Sequence, residues 1–220
     1  MEEKNEQEDR YPINEIFTSL QGEGSYTGHA MNFVRIAGCN LRCHWCDQPD
    51  SVPIAPTKLN VQMMSIPQIC AQLDHTVGIV CLTGGEPTTQ NLIPLIKEFH
   101  KRGYQVHLET NGTRPIPYGI DHISMSPHFY TMDSSEDSLA VNNLPVGTDI
   151  KLVIDGHFMI TNLLRMAKMP RYARATFWLM PLWDAKGPNE ESVQRCYEYA
   201  KRYPTFAKVG LQAHKVWNMK

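Results

Sequence analysis

The chain has 220 residues, 42% of them hydrophobic, and a formal net charge of −2, enough for one globular domain with a substantial core. This balance lacks the basic footprint of a generic nucleic-acid binder, and no apolar run nears the ~20 residues that span a bilayer. Neither partner is expected, and without an apolar leader-like segment the expected location is the cytoplasm.

Met1–Arg10 is almost wholly charged or amide and reads as a disordered tail, leaving 11–220 as a single domain. An extended segment at Ile13–Thr18 comes first. Strands are then expected at Asn32–Ala37, Ile79–Leu82, Gln105–Glu109, His122–Ser126, Asp149–Ile154, Ala175–Met180 and Lys208–Gln212, each a short apolar, β-branched run. Helices fit between several of them. Ser65-Ile-Pro-Gln68 is a capping-box pattern opening a helix to about Leu73. Asn91–Arg102 repeats Leu92, Leu95, Ile96 and Phe99 at helical spacing and stops at Gly103. His157–Lys168 reads as another helix, and Asn189 caps one with Glu190 and Glu191 at its positive end. Alternation of this kind predicts an α/β fold with a parallel sheet. Residues 110–121 and 127–148 carry no amphipathic helix, and 220 residues are few for a complete eight-fold barrel. The expected fold is a partial, open parallel β/α barrel with some helices missing.

Ligands gather at the carboxyl ends of strands in such sheets. Cys39, Gly84-Gly85-Glu86, Asn111 and Ser126 follow four successive strands, so they are expected on one rim. Disulfides are rare in the cytoplasm, so the six cysteines need another use. Cys70, Cys81 and Cys196 read as small buried hydrophobes. Cys39, Cys43 and Cys46 fall within eight residues, and no fourth cysteine lies at matching spacing. A structural zinc site closes four positions, and ferredoxin-type clusters use four cysteines. Three thiolates on a four-iron cluster leave one iron open to a ligand. A non-catalytic zinc or iron–sulfur protein stands as the rival reading.

The C-x3-C-x2-C run with Trp45 before its last cysteine resembles the cluster loop of the radical S-adenosylmethionine superfamily. Thr83-Gly84-Gly85-Glu86-Pro87 resembles that superfamily's GGE motif, in which glycines admit a ligand close to backbone and the carboxylate accepts from the cofactor's ammonium. The resemblance implies a [4Fe–4S] cluster on Cys39, Cys43 and Cys46 and S-adenosylmethionine bound near Trp45, Asp47, Gly84, Gly85, Glu86, Asn111, Ser126 and His128. It also implies reductive cleavage of the sulfonium to a 5′-deoxyadenosyl radical.

Tyr11 to Gly24, containing Gln21-Gly-Glu23-Gly, resembles the amino-terminal signature of the 7-carboxy-7-deazaguanine synthase family. Phe33-Val34-Arg35, Glu109-Thr-Asn111-Gly, Ser126-Pro127, Lys151 and Gln212-Ala-His214-Lys extend the likeness over nearly the whole chain. This implies a lyase acting on 6-carboxy-5,6,7,8-tetrahydropterin, with hydrogen abstracted at C6, ring contraction and loss of ammonia to give 7-carboxy-7-deazaguanine. The cofactor is regenerated in that scheme. Arg35 suits the substrate carboxylate. The Leu20-Gln21-Gly22 backbone and the Gln21 and Glu23 side chains suit the amide–amine edge, Thr83 is a further contact, and His214 would close the pocket. A flavodoxin or ferredoxin donor and a homodimer follow from the family. Three positions depart from its pattern. Gln48 replaces a threonine that helps hold Mg2+, and its longer stem shifts the ion or removes it. His128 replaces a lysine, and Leu179-Met180-Pro181 replaces a Gln-Pro. A paralogue acting on another pterin, a purine or a peptide is the alternative within the superfamily.

Overall fold

The structure, a computed structural model, describes residues 9–44, 46, 48, 61–127, 144–155, 158, 160–184 and 186–220, with the backbone alone of residue 171. The expectations for Trp45, Asp47 and His128, and for most of 127–148, lie outside the described residues.

Nine described strands form one sheet: β1 (Arg10–Leu20), β2 (Ala30–Ile36), β3 (Gln62–Ser65), β4 (Ile79–Gly84), β5 (Gln105–Thr110), β6 (His122–Met125), β7 (Asp149–Ile154), β8 (Thr176–Pro181) and β11 (Ala207–Val209). The remaining pair, β9 (Trp183–Asp184) and β10 (Gly187–Pro188), makes a small hairpin. The sheet order is β11-β8-β7-β6-β5-β4-β2-β1-β3. All pairings from β2 through β11 are parallel, and β1 is antiparallel to both β2 and β3. The edge strands β11 and β3 do not pair with each other, so the barrel is open.

Helices cover the outer face: α1 (Ile66–Cys70), α2 (Ile93–Lys101), α3 (Ile160–Ala167) and α4 (Glu190–Arg202), with α5 (Ala213–Val216) near the end. Gln68 Oε1 accepts from the Ser65 amide at 2.9 Å, and Asn189 Oδ1 accepts from Ser192 N at 3.0 Å, as their positions predict. No helix joins β5 to β6. No described helix is long and apolar enough to cross a membrane.

Two outer cores result. One packs Leu95, Ile96 and Phe99 of α2 on Val34, Ile36, Val80, Leu82 and Leu108; the other packs Leu163, Met166 and Cys196 on Ile150, Leu152, Phe177 and Leu179. Strand side chains alternate faces, so the intervening residues line the barrel interior. There Cys81, His107 and His122 stand side by side by register. Arg35 is level with Thr83, Glu109 with Ser124, and Lys151 with Trp178.

Several boundaries differ from expectation. Arg10, assigned to the tail, begins β1 and pairs with Ser65 of β3, a strand that the apolar pattern did not disclose. The α1 helix stops at Cys70, and Gln72 and Leu73 continue only as turns bonded to Ile69 and Cys70. The α2 helix begins at Ile93, where Pro94 sits in its first turn.

Phe99 is fully buried and Tyr118 is 90% exposed. Phe99→Ala is expected to cost about 3–5 kcal/mol in chemical denaturation, and Tyr118→Ala less than about 0.5 kcal/mol.

Candidate active site

The cysteine loop leaves β2 at Gly38, whose φ of +101° is a left-handed conformation that suits glycine. Cys39, Cys43 and Cys46 stand outside any disulfide, and each is half-buried. The Leu41 amide donates to Cys39 Sγ and the Gln48 amide to Cys46 Sγ, both at 3.4 Å. Amides aimed at sulfur are the arrangement that stabilises cluster thiolates. Burial and then the neighbouring Cys46 and Cys39 push the Cys43 thiol up to about 11, so the three sulfurs feel one another's charge. This donor set fits an iron–sulfur cluster. Among the described residues, no three His, Cys, Asp or Glu side chains are grouped to hold a single ion.

The end of β4 is laced to this loop. Gly85 N donates to Ile36 O at 3.0 Å and Glu86 N to Gly38 O at 2.7 Å. A Cβ on Gly84 would collide with Ile36 O, and one on Gly85 with Gly38 O. Glycine is needed at both positions for the strands to meet. Glu86 is fully buried. Its Oε1 accepts from Thr88 N, Thr88 Oγ1 and Thr110 Oγ1, and its Oε2 from Asn111 N at 2.6 Å. The expected ammonium acceptor is thus engaged by the protein's own donors and holds the ends of β4 and β5 together. Asn111 differs from expectation in the same way. Its amide donates to Asn40 Oδ1 at 3.0 Å and accepts from the Thr113 amide and hydroxyl, tying the cysteine loop to β5. Ser126 is half-buried at the end of β6, its amide bonded to Thr110 O. Gln48 is half-buried beside Cys46.

The Gln21-Gly-Glu-Gly segment reaches the interior from the other end. Because β1 is antiparallel, Leu20 is level with Ala30 at the amino-terminal ends of the parallel strands. Glu23 enters the barrel and meets Lys151 Nζ at 2.6 Å, and Lys151 meets Glu109 at 2.5 Å. Gln21 Nε2 donates to Glu109 Oε1 at 3.1 Å, and Gln212 Nε2 to Glu23 Oε1 at 2.7 Å. Burial opposes charge on Lys151, but Glu109 and Glu23 outweigh it and push its pKa up. Burial would raise the Glu23 carboxyl, yet Lys151 and the Gln212 bond hold it below the usual range. Part of the backbone of this segment is bonded within the protein. Gln21 N and O pair with His29 and Gly28, and Gly22 O accepts from Ala213 N. Side chains are what the segment offers to the interior.

Arg35 donates its Nε–H to Glu15 at 2.8 Å and lies over the Phe17 ring, with Thr83 its register partner on β4. Lys220 also pairs with Glu15. His214, on α5, packs on Gly22 so closely that a Cβ there would strike its ring. Met180, at the departure in the late strand, is buried against Gly210 and serves packing.

A narrow polar pocket lies in the interior, its walls including Gln21, Glu23, Cys81, His107, Glu109 and Asp149. Cys81 is buried as expected but faces this pocket. Sequence reasoning passed over Lys151, Glu109, Asp149 and the His107–His122 pair as site residues. The available signal was charge and imidazole at alternate positions of otherwise apolar strands, where an inward direction demands a partner.

The Radical SAM superfamily pattern matches residues 33–141. The chain is 30% identical over 207 residues to the 7-carboxy-7-deazaguanine synthase of Synechocystis sp., covering 93% of this chain and 91% of that protein. It is 31% identical over 216 residues to the synthase of Aquifex aeolicus, covering 94% of each. The crystal structure of QueE from Escherichia coli superposes with a TM-score of 0.75 at 24% identity, covering 93% of this chain and 95% of that one, and shares its fold.

Lys151→Met would leave Glu23 and Glu109 facing each other without a counter-charge. It is expected to destabilise by about 3–5 kcal/mol in chemical denaturation. Adding Glu109→Gln should return part of that loss.

Proposed function

The chain belongs to the 7-carboxy-7-deazaguanine synthase family of radical S-adenosylmethionine enzymes, and we propose that it converts 6-carboxy-5,6,7,8-tetrahydropterin to 7-carboxy-7-deazaguanine with loss of ammonia, in queuosine and 7-deazapurine biosynthesis. The observation that carries this reading is the placement of Glu23. Its segment enters from the amino-terminal end of the barrel while the cysteines stand at the carboxyl end, so a small planar substrate is enclosed between them.

Cys39, Cys43 and Cys46 hold the cluster. When bound, the cluster and S-adenosylmethionine supply a carbon-centred adenosyl radical able to take hydrogen from an unactivated C–H bond. Gly84 and Gly85 bring backbone to the cofactor's methionyl end, with Ser126, Trp45, Asp47 and His128 as further contacts. Glu86 and Asn111 fix the loops that present it. Arg35 uses its Nε–H on Glu15, which leaves the terminal nitrogens of the fork to grip the substrate carboxylate, with Thr83 alongside. Glu23 and Gln21 take the donor-rich amino-pyrimidinone edge, because a carboxylate and an amide match its N–H groups. His214 closes the margin of the pocket. Gln48 offers an amide oxygen to a magnesium ion at lower affinity than the family's shorter side chain. A flavodoxin or ferredoxin is the electron donor, and the enzyme is a cytoplasmic homodimer.

Anaerobic reconstitution is expected to load about four irons per chain. The reduced protein should then turn the carboxylated tetrahydropterin into the deazaguanine, followed by mass. Cleavage of S-adenosylmethionine without that product, with or without magnesium, would transfer the assignment to a paralogue with another substrate. Zinc binding without cleavage would favour a structural protein. Gln48→Thr should increase the dependence of turnover on magnesium, read from initial rates across a titration of the ion. An unchanged dependence would remove Gln48 from the ion site.

A further inference from the structure

Beneath the Glu23–Lys151–Glu109 layer lies a second charged group with no part in the reaction as described. Asp149, the first residue of β7, is 1% exposed and has four donors around one carboxylate. Oδ1 accepts from the Ser25 hydroxyl and from Trp178 Nε1, both at 2.7 Å. Oδ2 accepts from the Ser25 amide at 2.7 Å and from His122 Nε2 at 3.2 Å. Ser25 directly follows the Gln21-Gly-Glu-Gly segment. Gly24 takes φ +71°, and a Cβ there would lie 2.6 Å from Asp149 Oδ2, so the backbone turns directly on the carboxylate. Burial works against the charge on Asp149, but His122, Ser25 and Trp178 hold its carboxyl below the usual range.

We propose that Asp149 is the positioning residue for the substrate segment, seating Gly24 and Ser25 so that Glu23 and Gln21 point into the barrel. The proposal rests on the reading of Glu23 and Gln21 as substrate contacts. Neither Asp149 nor Ser25 needs to touch the substrate. A carboxylate is the group required, because it accepts at every position and donates at none. In Asp149→Asn the amide NH2 must face one of two pairs of donors. The Ser25 hydroxyl can turn and accept, and His122 can change tautomer, but neither the Ser25 amide nor the Trp178 indole can do so. Either orientation therefore breaks one obligatory bond: an NH2 facing the Ser25 amide unseats the loop directly, and one facing the Trp178 indole forces the Ser25 hydroxyl to turn and loosens the loop's second tie.

The test compares Asp149→Asn, Ser25→Ala and the double variant, each reconstituted with its cluster. Asp149→Asn, which disturbs bonds to both carboxylate oxygens, is expected to raise KM for the carboxylated tetrahydropterin about tenfold, and Ser25→Ala, which removes the hydroxyl bond but keeps the amide bond, about threefold. The double variant should be no worse than Asp149→Asn alone, since both act on one seat. Iron content and KM for S-adenosylmethionine should stay within about twofold. Hydrogen exchange needs no substrate and separates this proposal from the functional reading. Peptides covering residues 21–29 should exchange faster in both variants, with those covering β4 and β5 unchanged. Unchanged exchange at 21–29, additive effects in the double variant, or an equal rise in KM for both ligands would overturn the proposal. Faster exchange at 21–29 in a protein that never turns over the pterin would uphold the seat and remove only the substrate.

Discussion

An ammonium group taken out of water needs counter-charges at contact distance, and Lys151, 6% exposed, finds them in Glu23 and Glu109. These three residues come from the segment after β1, from β7 and from β5. Gln212 joins from beyond β11, and Lys215 donates to Gln212 in turn. The pocket thus has the directions of two carboxylates fixed by one cation. Removing Lys151 would leave like charges facing each other. Removing either acid would leave the cation half-compensated.

A different constraint governs the carboxyl end of the barrel, where the approach of Gly84 and Gly85 to Ile36 and Gly38 is backbone on backbone. No charge holds it; the absence of side chains permits it. Glu86 then secures the arrangement from below by accepting from residues on both sides of the β4–β5 boundary. The cysteine loop and the substrate segment are consequently held by independent devices at opposite ends of the same strands.

Much of this was legible in the residues. The parallel strands were found because each is a short apolar run between turn formers, and β7 matches its expected span of Asp149–Ile154. The cysteine loop and the Gly-Gly-Glu turn announced themselves by spacing. The antiparallel β1–β3 pairing was hidden, because pairing direction is set by partners distant in sequence and not by local pattern. That omission also concealed from which end Glu23 arrives. Glu86 and Asn111 were read as presenting groups to a ligand. Their types were right for a site, but only coordinates could show that neighbouring donors already occupy them. Asp149 and Lys151 were visible as charges in an apolar strand, but the inward direction of their side chains was not.

The bond between Gln212 and Glu23 spans 189 positions of sequence. Closing so long a stretch of chain carries a large entropic penalty unless the intervening strands have already condensed. Pocket completion therefore depends on the sheet that brings these two distant stretches of chain together. Its geometry reports on the collapse of the entire polypeptide more than on any neighbouring segment.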